Sequence, residues 1–197
     1  LMPGISGNNE RSPWNIANVY GKPELLDELR YWHELRMELL PYLYETAREV
    51  VEDNKPMMRP LIYSFQGDEN CLHVEDEYML GSKLLAAPLL EPGQKTRMVY
   101  FPEGNWYGFF SGRKYIGRNQ QQSHEEEKFP VYVREGRAFL RECGEKIRIY
   151  LYGEQGKDMV YYEQQEYQIV WDSRKKEVRA KRLEGGAGKQ IEWIAII

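Results

Sequence analysis

The feature that most limits the fold is a change of pattern near residue 83, where helical spacing gives way to short strand-like segments. Beyond this point short apolar runs are separated by turn-forming residues, such as Ser111 and Gly112. Segments 146–152, 158–163, 166–171 and 177–183 alternate apolar and polar residues, as half-buried strands do. Strands repeating at roughly 8–12-residue intervals are typical of a β-sandwich or barrel.

The residues before this point predict helices and only one strand. Residues 24–53 predict a single long helix that is kinked at Pro41, because apolar side chains recur at steps of three and four. Leu61–Phe65 reads as a buried strand, and residues 72–80 as a short helix ended by Gly81. The polar run 117–128 is expected to be a mobile loop. Together these elements predict an α+β fold.

Composition excludes several functional classes. The chain has 197 residues, a net charge of −4 and a pI near 5.6, which argue against a nucleic-acid partner. It has no run of 18 apolar residues, so we expect no membrane span. Cys71, Cys143 and the three histidines are too scattered for a metal or heme site, and no cofactor is expected. The first residues lack a signal-peptide pattern, so a cytoplasmic location is expected. They also look like a cut end.

Several spaced motifs occur together. They are LRYWHELRMELLPYLYETAREVVEDNKPMMRPLIYSF, then VEDEYMLGSKLLAAPLLEPGQKTRMVYFPEGNWYGFFSG, and then FPVYVREG. In combination they resemble glycoside hydrolase family 31, the α-glucosidase and α-xylosidase family. The resemblance is close over about residues 10–140 and looser over residues 146–183.

The resemblance implies a domain order and a mechanism. Residues 1–82 would be the C-terminal end of a (β/α)8 catalytic barrel, 83–143 a proximal β-sandwich and 144–197 a shortened distal β domain. The family is retaining and uses two aspartates, with carboxyls about 5–5.5 Å apart. No motif of this chain matches theirs, so both are expected upstream of Leu1 and the chain alone is expected to be inactive.

The resemblance also suggests where the edge of a sugar pocket lies. Residues 1–20 would follow the seventh barrel strand and Ser64–Asn70 the eighth, and such loops carry barrel active sites. The family's R-x-H pair is replaced here by Ser6-Gly7-Asn8. The candidate substrate-binding residues are Asn8, Asn9, Arg11, Trp14 and Phe65.

Four of these candidates also have a structural interpretation. Asn8 and Asn9 suit left-handed loop positions. Arg11 could pair with Glu10, and Trp14 could pack beneath the long helix rather than stack on a sugar.

Three functions stay open at this stage. The first is a C-terminal fragment of an α-glycosidase that acts on α-linked oligosaccharides. The apolar face of its predicted helix at residues 24–53 would be covered by the missing N-terminal barrel portion or by self-association. The second is a standalone carbohydrate-binding or structural β-sandwich module. The third is part of a family 31 α-transglycosylase.

Overall fold

The computed structural model describes residues 12–127, 129–163, 165–181 and 190–197, and it divides into two compact units at residue 40. The first unit contains helices α1 (Pro13–Tyr20) and α2 (Leu25–Glu38). The Ser12 hydroxyl caps α1 by accepting a hydrogen bond from the Asn15 amide at 3.4 Å. Gly21, with φ of 60°, ends the helix in the left-handed conformation.

The single long helix predicted over residues 24–53 is wrong, because two helices occupy this range. Helix α2 ends at Glu38, and α3 runs over Leu40–Asp53. Leu39 has φ of −87° and ψ of 0°, and its amide still bonds the Leu35 carbonyl at 3.0 Å. Pro41 therefore lies in the first turn of α3, where its missing amide hydrogen costs no helical bond.

The next segment also differs from the sequence prediction. Strand β1 (Met58–Pro60) precedes a single helical turn, α4 (Leu61–Ser64), so the buried strand predicted at Leu61–Phe65 is wrong. A 3-10 helix (Glu69–His73) and strand β2 (Tyr78–Leu80) replace the helix predicted over residues 72–80. Strand β2 pairs with β1 on one side and with β3 on the other, and these two ladders outweigh the local helical pattern.

The first β-sandwich contains eight strands. After β1 and β2 come β3 (Leu84–Ala86), β4 (Met98–Phe101), β5 (Asn105–Gly108), β6 (Lys114–Ile116), β7 (Asn119–Gln122) and β8 (Val131–Arg134). One sheet has the order β1-β2-β3-β8-β5-β6, and β4 pairs with β7. The predicted mobile loop at 117–128 is thus wrong for Asn119–Gln122, which bond along the whole of β4.

In the part of the chain that the structure describes, the second β-sandwich contains six strands. They are β9 (Ala138–Cys143), β10 (Lys146–Tyr152), β11 (Gln155–Tyr162), β12 (Gln165–Asp172), β13 (Glu177–Lys181) and β14 (Gln190–Ile196). One sheet has the order β14-β10-β9 and the other β11-β12-β13. Their inward side chains form a separate apolar core. All described strand pairs are antiparallel except β10 with β14, which run parallel.

The α+β class with antiparallel β-sandwiches is confirmed by this architecture. The predicted domain limits at residues 82 and 143 stay predictions. Strands β1 and β2 hydrogen-bond into the same sheet as β3, and β9 pairs with β10. None of the described helices is both long and apolar enough to cross a membrane.

Gly81, between strands β2 and β3, packs against helix α3, and its substitution tests this packing. A Cβ atom there would lie 2.0 Å from Thr46 Cγ2 and 2.5 Å from the Tyr42 hydroxyl, and φ is +62°. We expect Gly81→Ala to lower the free energy of unfolding by about 2 kcal/mol or more, from left-handed strain plus overpacking. Urea denaturation measures this change. Gly93→Ala is the matched control, because φ is +76° there with no atom within 4 Å. An equal loss in both variants would contradict the packing argument.

Candidate functional site

Phe65 is the candidate sugar-binding residue whose surroundings the structure describes most fully. It follows helix α4, and its amide bonds the Leu61 carbonyl at 2.9 Å. Its ring meets the Trp106 ring edge-on, with 6.0 Å between centroids. Trp106 is fully buried, and its indole Nε1 donates to the Pro102 carbonyl at 2.9 Å. The core of the first sandwich therefore fixes the position of Phe65.

Arg134 lies over one face of Phe65, which is itself partly exposed. Its guanidinium carbon lies 5.3 Å from the ring centroid, which is a cation–π distance. Burial lowers the pKa of this half-buried guanidinium, and the neighbouring charge of Arg137 lowers it further. The sequence analysis did not propose Arg134, although it lies in the VREG run that supported the family resemblance.

The loop after Phe65 is held by a buried carboxylate. Both oxygens of Asp68 accept from the Tyr100 hydroxyl at 2.8 Å, and Asn70 Nδ2 donates to that hydroxyl at 3.1 Å. Burial raises the pKa of the Tyr100 hydroxyl to about 12, and the hydrogen bond to Asp68 is the next largest cause of the rise. Asp68 thus positions the loop through its contacts with Tyr100 and Asn70.

The Cys71 thiol does not suit nucleophilic chemistry. Cys71 is buried next to this loop, and burial, with a smaller contribution from the charge of Asp68, raises its thiol pKa to about 12. A thiol with such a pKa is protonated at neutral pH, so it lacks the thiolate that attacks substrates.

Of the other candidates, only Trp14 lies within the described residues. Trp14 lies on α1 in the first unit, with 61% of its surface exposed, so packing beneath a helix does not account for it. Asn8, Asn9 and Arg11 lie outside the described residues. No group of three His, Cys, Asp or Glu side chains suited to a metal occurs in the described ranges.

The second sandwich carries a surface groove that is not a suitable sugar-binding site. It is lined by Gly156, by the buried ring of Trp171 and by the side chains of Gln155, Val170, Asp172, Lys175, Glu177 and Arg179. Its charges pair with one another, since Lys175 lies 3.5 Å from Asp172 and Arg179 lies 3.4 Å from Glu177. The groove offers no exposed aromatic face, so we assign it no binding role.

Glu77 is a buried carboxyl with one oxygen poorly satisfied. Its Oε1 accepts the Tyr100 amide at 2.8 Å and lies 3.7 Å from the Arg97 guanidinium. Its buried Oε2 has no hydrogen-bond partner among the described residues. Burial raises the pKa of Glu77 to about 7, while the Tyr100 amide and Arg97 oppose the rise.

Comparison with known proteins assigns a class to this fold. Residues 54–139 match the glycosyl hydrolase family 31 C-terminal domain. Solved structures share the fold: a cycloalternan-forming enzyme from Listeria monocytogenes, in complex with a pentasaccharide substrate, superposes with a TM-score of 0.78. That match covers 91% of this chain and 19% of the enzyme, at 23% identity. The fold is that of the C-terminal β-sandwich region of a carbohydrate-active enzyme.

Curated relatives narrow the class to a family. An alpha-glucosidase from Saccharolobus solfataricus is 40% identical over 121 residues, which are 61% of this chain and 17% of the relative. An isomaltosyltransferase from Sporosarcina globispora is 33% identical over 135 residues, covering 68% of this chain and 12% of the relative. The chain carries a C-terminal portion of glycoside hydrolase family 31 and spans less than a fifth of each of these relatives.

Glu77 gives a prediction for the pH dependence of stability. Its folded pKa of about 7 exceeds the ordinary value of 4.5, so the folded state binds more protons between these values. The contribution to stability is full below pH 4.5 and falls by roughly 3 kcal/mol as pH rises through 7. We expect Glu77→Gln to lose this decline, as measured by urea midpoints from pH 4.5 to 8.

The control for this titration is Glu103→Gln. Glu103 is an exposed carboxylate that pairs with Arg118 at 2.9 Å. Neutralising Glu103 should leave the fall in stability between pH 4.5 and 8 unchanged. A wild-type curve and a Glu77→Gln curve of the same shape would contradict the assignment to Glu77.

Proposed function

We propose that the chain serves as the C-terminal portion of a retaining α-glycosidase that hydrolyses α-linked glucosides or related α-xylosides. The observation that carries this proposal is the family 31 match over residues 54–139. Its support from relatives is the name of the Saccharolobus solfataricus alpha-glucosidase, which shares 40% identity with 61% of this chain. Both catalytic aspartates of such an enzyme would belong to a part of the protein other than these 197 residues.

The role of this chain is then to support one edge of the sugar pocket. A retaining glycosidase needs its two carboxyls about 5–5.5 Å apart, and it needs the sugar held against them. The chain contributes Phe65 on a loop that Trp106, Arg134 and Asp68 hold in place. Phe65 is partly exposed, so a ring fixed in this way can offer a rigid apolar surface to a sugar on the side away from Arg134.

Exposed apolar side chains support an interface with the catalytic portion. In the first unit, Trp14, Tyr20, Trp32 and Met37 are exposed, and on α3 so are Tyr44 and Val51. Large apolar patches are uncommon on monomers and mark interaction surfaces. Self-association of the chain is the alternative way to cover them.

A transglycosylase is the second candidate. It is favoured by the 33% identity with the Sporosarcina globispora isomaltosyltransferase over 68% of this chain. The two candidates share the first chemical step and differ in whether water or a sugar hydroxyl accepts the glycosyl group. A standalone carbohydrate-binding module is a third, and it requires that the isolated chain bind oligosaccharide.

The first test compares this chain with a longer protein that contains it. We expect the purified 197-residue chain to release no 4-nitrophenol from 4-nitrophenyl α-glucoside or α-xyloside, since it lacks the two carboxylates. The longer protein should hydrolyse one of them with retention, which proton NMR detects as the α-anomer formed first. Robust turnover by the chain alone would contradict the proposal. Oligosaccharide products formed from added glucose acceptor would favour the transglycosylase.

The second test concerns Phe65 in that longer protein. Phe65→Leu keeps apolar volume against Trp106 but removes the aromatic face, so kcat/KM should fall about tenfold, as for the loss of roughly 1.4 kcal/mol of transition-state binding. Tyr63→Leu is the control, because Tyr63 is an exposed aromatic of the same helical turn. Equal activities of the wild type and Phe65→Leu would remove Phe65 from the binding site.

A further inference from the structure

Lys83 is a buried cation that no part of the proposed function uses. Its side chain is 2% exposed, and it precedes strand β3 in the first sandwich. Four acceptors surround its Nζ: Glu45 Oε1 at 2.7 Å, Asp158 Oδ2 at 3.1 Å, the Met159 carbonyl at 2.6 Å and the Ala138 carbonyl at 3.3 Å. A buried ammonium persists only with such a full set of partners.

A second cation completes an electrically neutral group. Arg137 lies 3.2 Å from Asp158 Oδ1, and Asp158 Oδ2 also accepts the Ala138 amide at 2.8 Å. We call Lys83, Glu45, Asp158 and Arg137 the Lys83 cluster. Burial raises the pKa of Glu45, and the charge of Lys83 opposes that rise. Two cations and two carboxylates therefore balance, with Arg137 at the partly exposed edge of the group.

The cluster joins four elements that are far apart in sequence. Glu45 lies on helix α3, Lys83 precedes β3, Ala138 begins β9, and Asp158 and Met159 lie on β11. The β9 and β11 contacts come from the two opposite sheets of the second sandwich. Helix α3 belongs to the segment that the family resemblance assigns to the barrel. Lys83 of the first sandwich therefore bridges that helix and the second sandwich.

An exposed contact between nearly the same elements provides a comparison. Arg48 on α3 donates to Glu166 on β12 at 2.9 Å and lies 4.6 Å above the Tyr161 ring of β11. Both members of this ion pair reach solvent. Water can replace a lost partner at Arg48, whereas nothing replaces a lost partner at Lys83.

We propose that the Lys83 cluster is the conformational coupling device that holds the sheet β11-β12-β13 on helix α3. Removal of one charge leaves an uncompensated buried ion. The protein relieves it by separating this sheet from α3, so that water reaches the remaining groups, while the first sandwich stays folded. The second sandwich is then a dependent part of the chain, and its attachment is set by charge balance rather than by apolar contact alone.

Hydrogen exchange measured by mass spectrometry on the full 197-residue chain tests this proposal. In Lys83→Met, amide exchange in α3 and β11 should speed up at least about tenfold, while peptides covering β5 and β8 change less than about threefold. Arg48→Met, the matched control, should leave α3 and β11 within about threefold of the wild type. If Lys83→Met does not fold, Glu45→Gln supplies the same comparison, because it removes one carboxylate and keeps its size.

A charge-neutral triple variant separates charge from packing. Glu45→Gln, Lys83→Met and Asp158→Asn together leave no unpaired buried ion except the partly exposed Arg137. The side-chain amide oxygen introduced by Asp158→Asn can still accept from the Ala138 amide, so exchange in β11 should slow at least about fivefold relative to Lys83→Met. Exchange as fast as in Lys83→Met would overturn the proposal. So would a uniform increase over all strands, or an equal effect of Arg48→Met.

Discussion

The burial of one indole ring organises the part of this protein nearest to the proposed sugar pocket. Trp106 is in β5, between β6 and β8, and its indole Nε1 donates a hydrogen bond to the Pro102 carbonyl instead of to water. A buried Trp needs such a partner, since an unpaired N–H in an apolar core costs roughly 1–3 kcal/mol. Once the ring is fixed, Phe65 can pack on its edge and Arg134 can close over Phe65. The candidate site is therefore an extension of the sandwich core.

The two sandwiches are held by different kinds of interaction. Aromatic rings fill the first core: Phe101 stacks on Tyr115 at a centroid distance of 4.8 Å and meets Tyr132 edge-on at 4.7 Å. Aliphatic side chains dominate the middle of the second core, and a neutral set of buried charges lies where that core meets helix α3. Apolar burial gives each sandwich its stability, whereas the charges demand one particular arrangement of the parts.

The sequence predicted the second sandwich better than the segment before it, for a physical reason. Strands β10 to β12 are half-buried, so their alternation of side chains is visible in the sequence. At Leu61–Phe65 and residues 72–80, short apolar runs fit a helix or a strand equally well, and pairing with distant strands decided between them. Asn119–Gln122 is a strand without an apolar face, and only its ladder with β4 reveals it.

Like the fold, the candidate site could be predicted from the sequence only in part. Phe65 could be proposed because its segment belongs to a recognisable motif, whereas its partner Arg134 is 69 residues away and no local spacing connects them. Lys83 begins the run KLLAAPLL, which reads as an apolar strand. Its acceptors come from α3, β9 and β11, and only the tertiary fold brings them to one atom.

The parallel pairing of β10 with β14 has a consequence for the order of assembly. Arg148 and Glu192, which pair across these strands, are 44 residues apart, while β9 to β13 pair with their neighbours in the chain. Local pairings close early because they lose little chain entropy, and distant ones close late. During synthesis, strands β9 to β13 can therefore associate while β10 still presents an open edge. That edge stays available to other chains until residues 190–196 emerge and cover it.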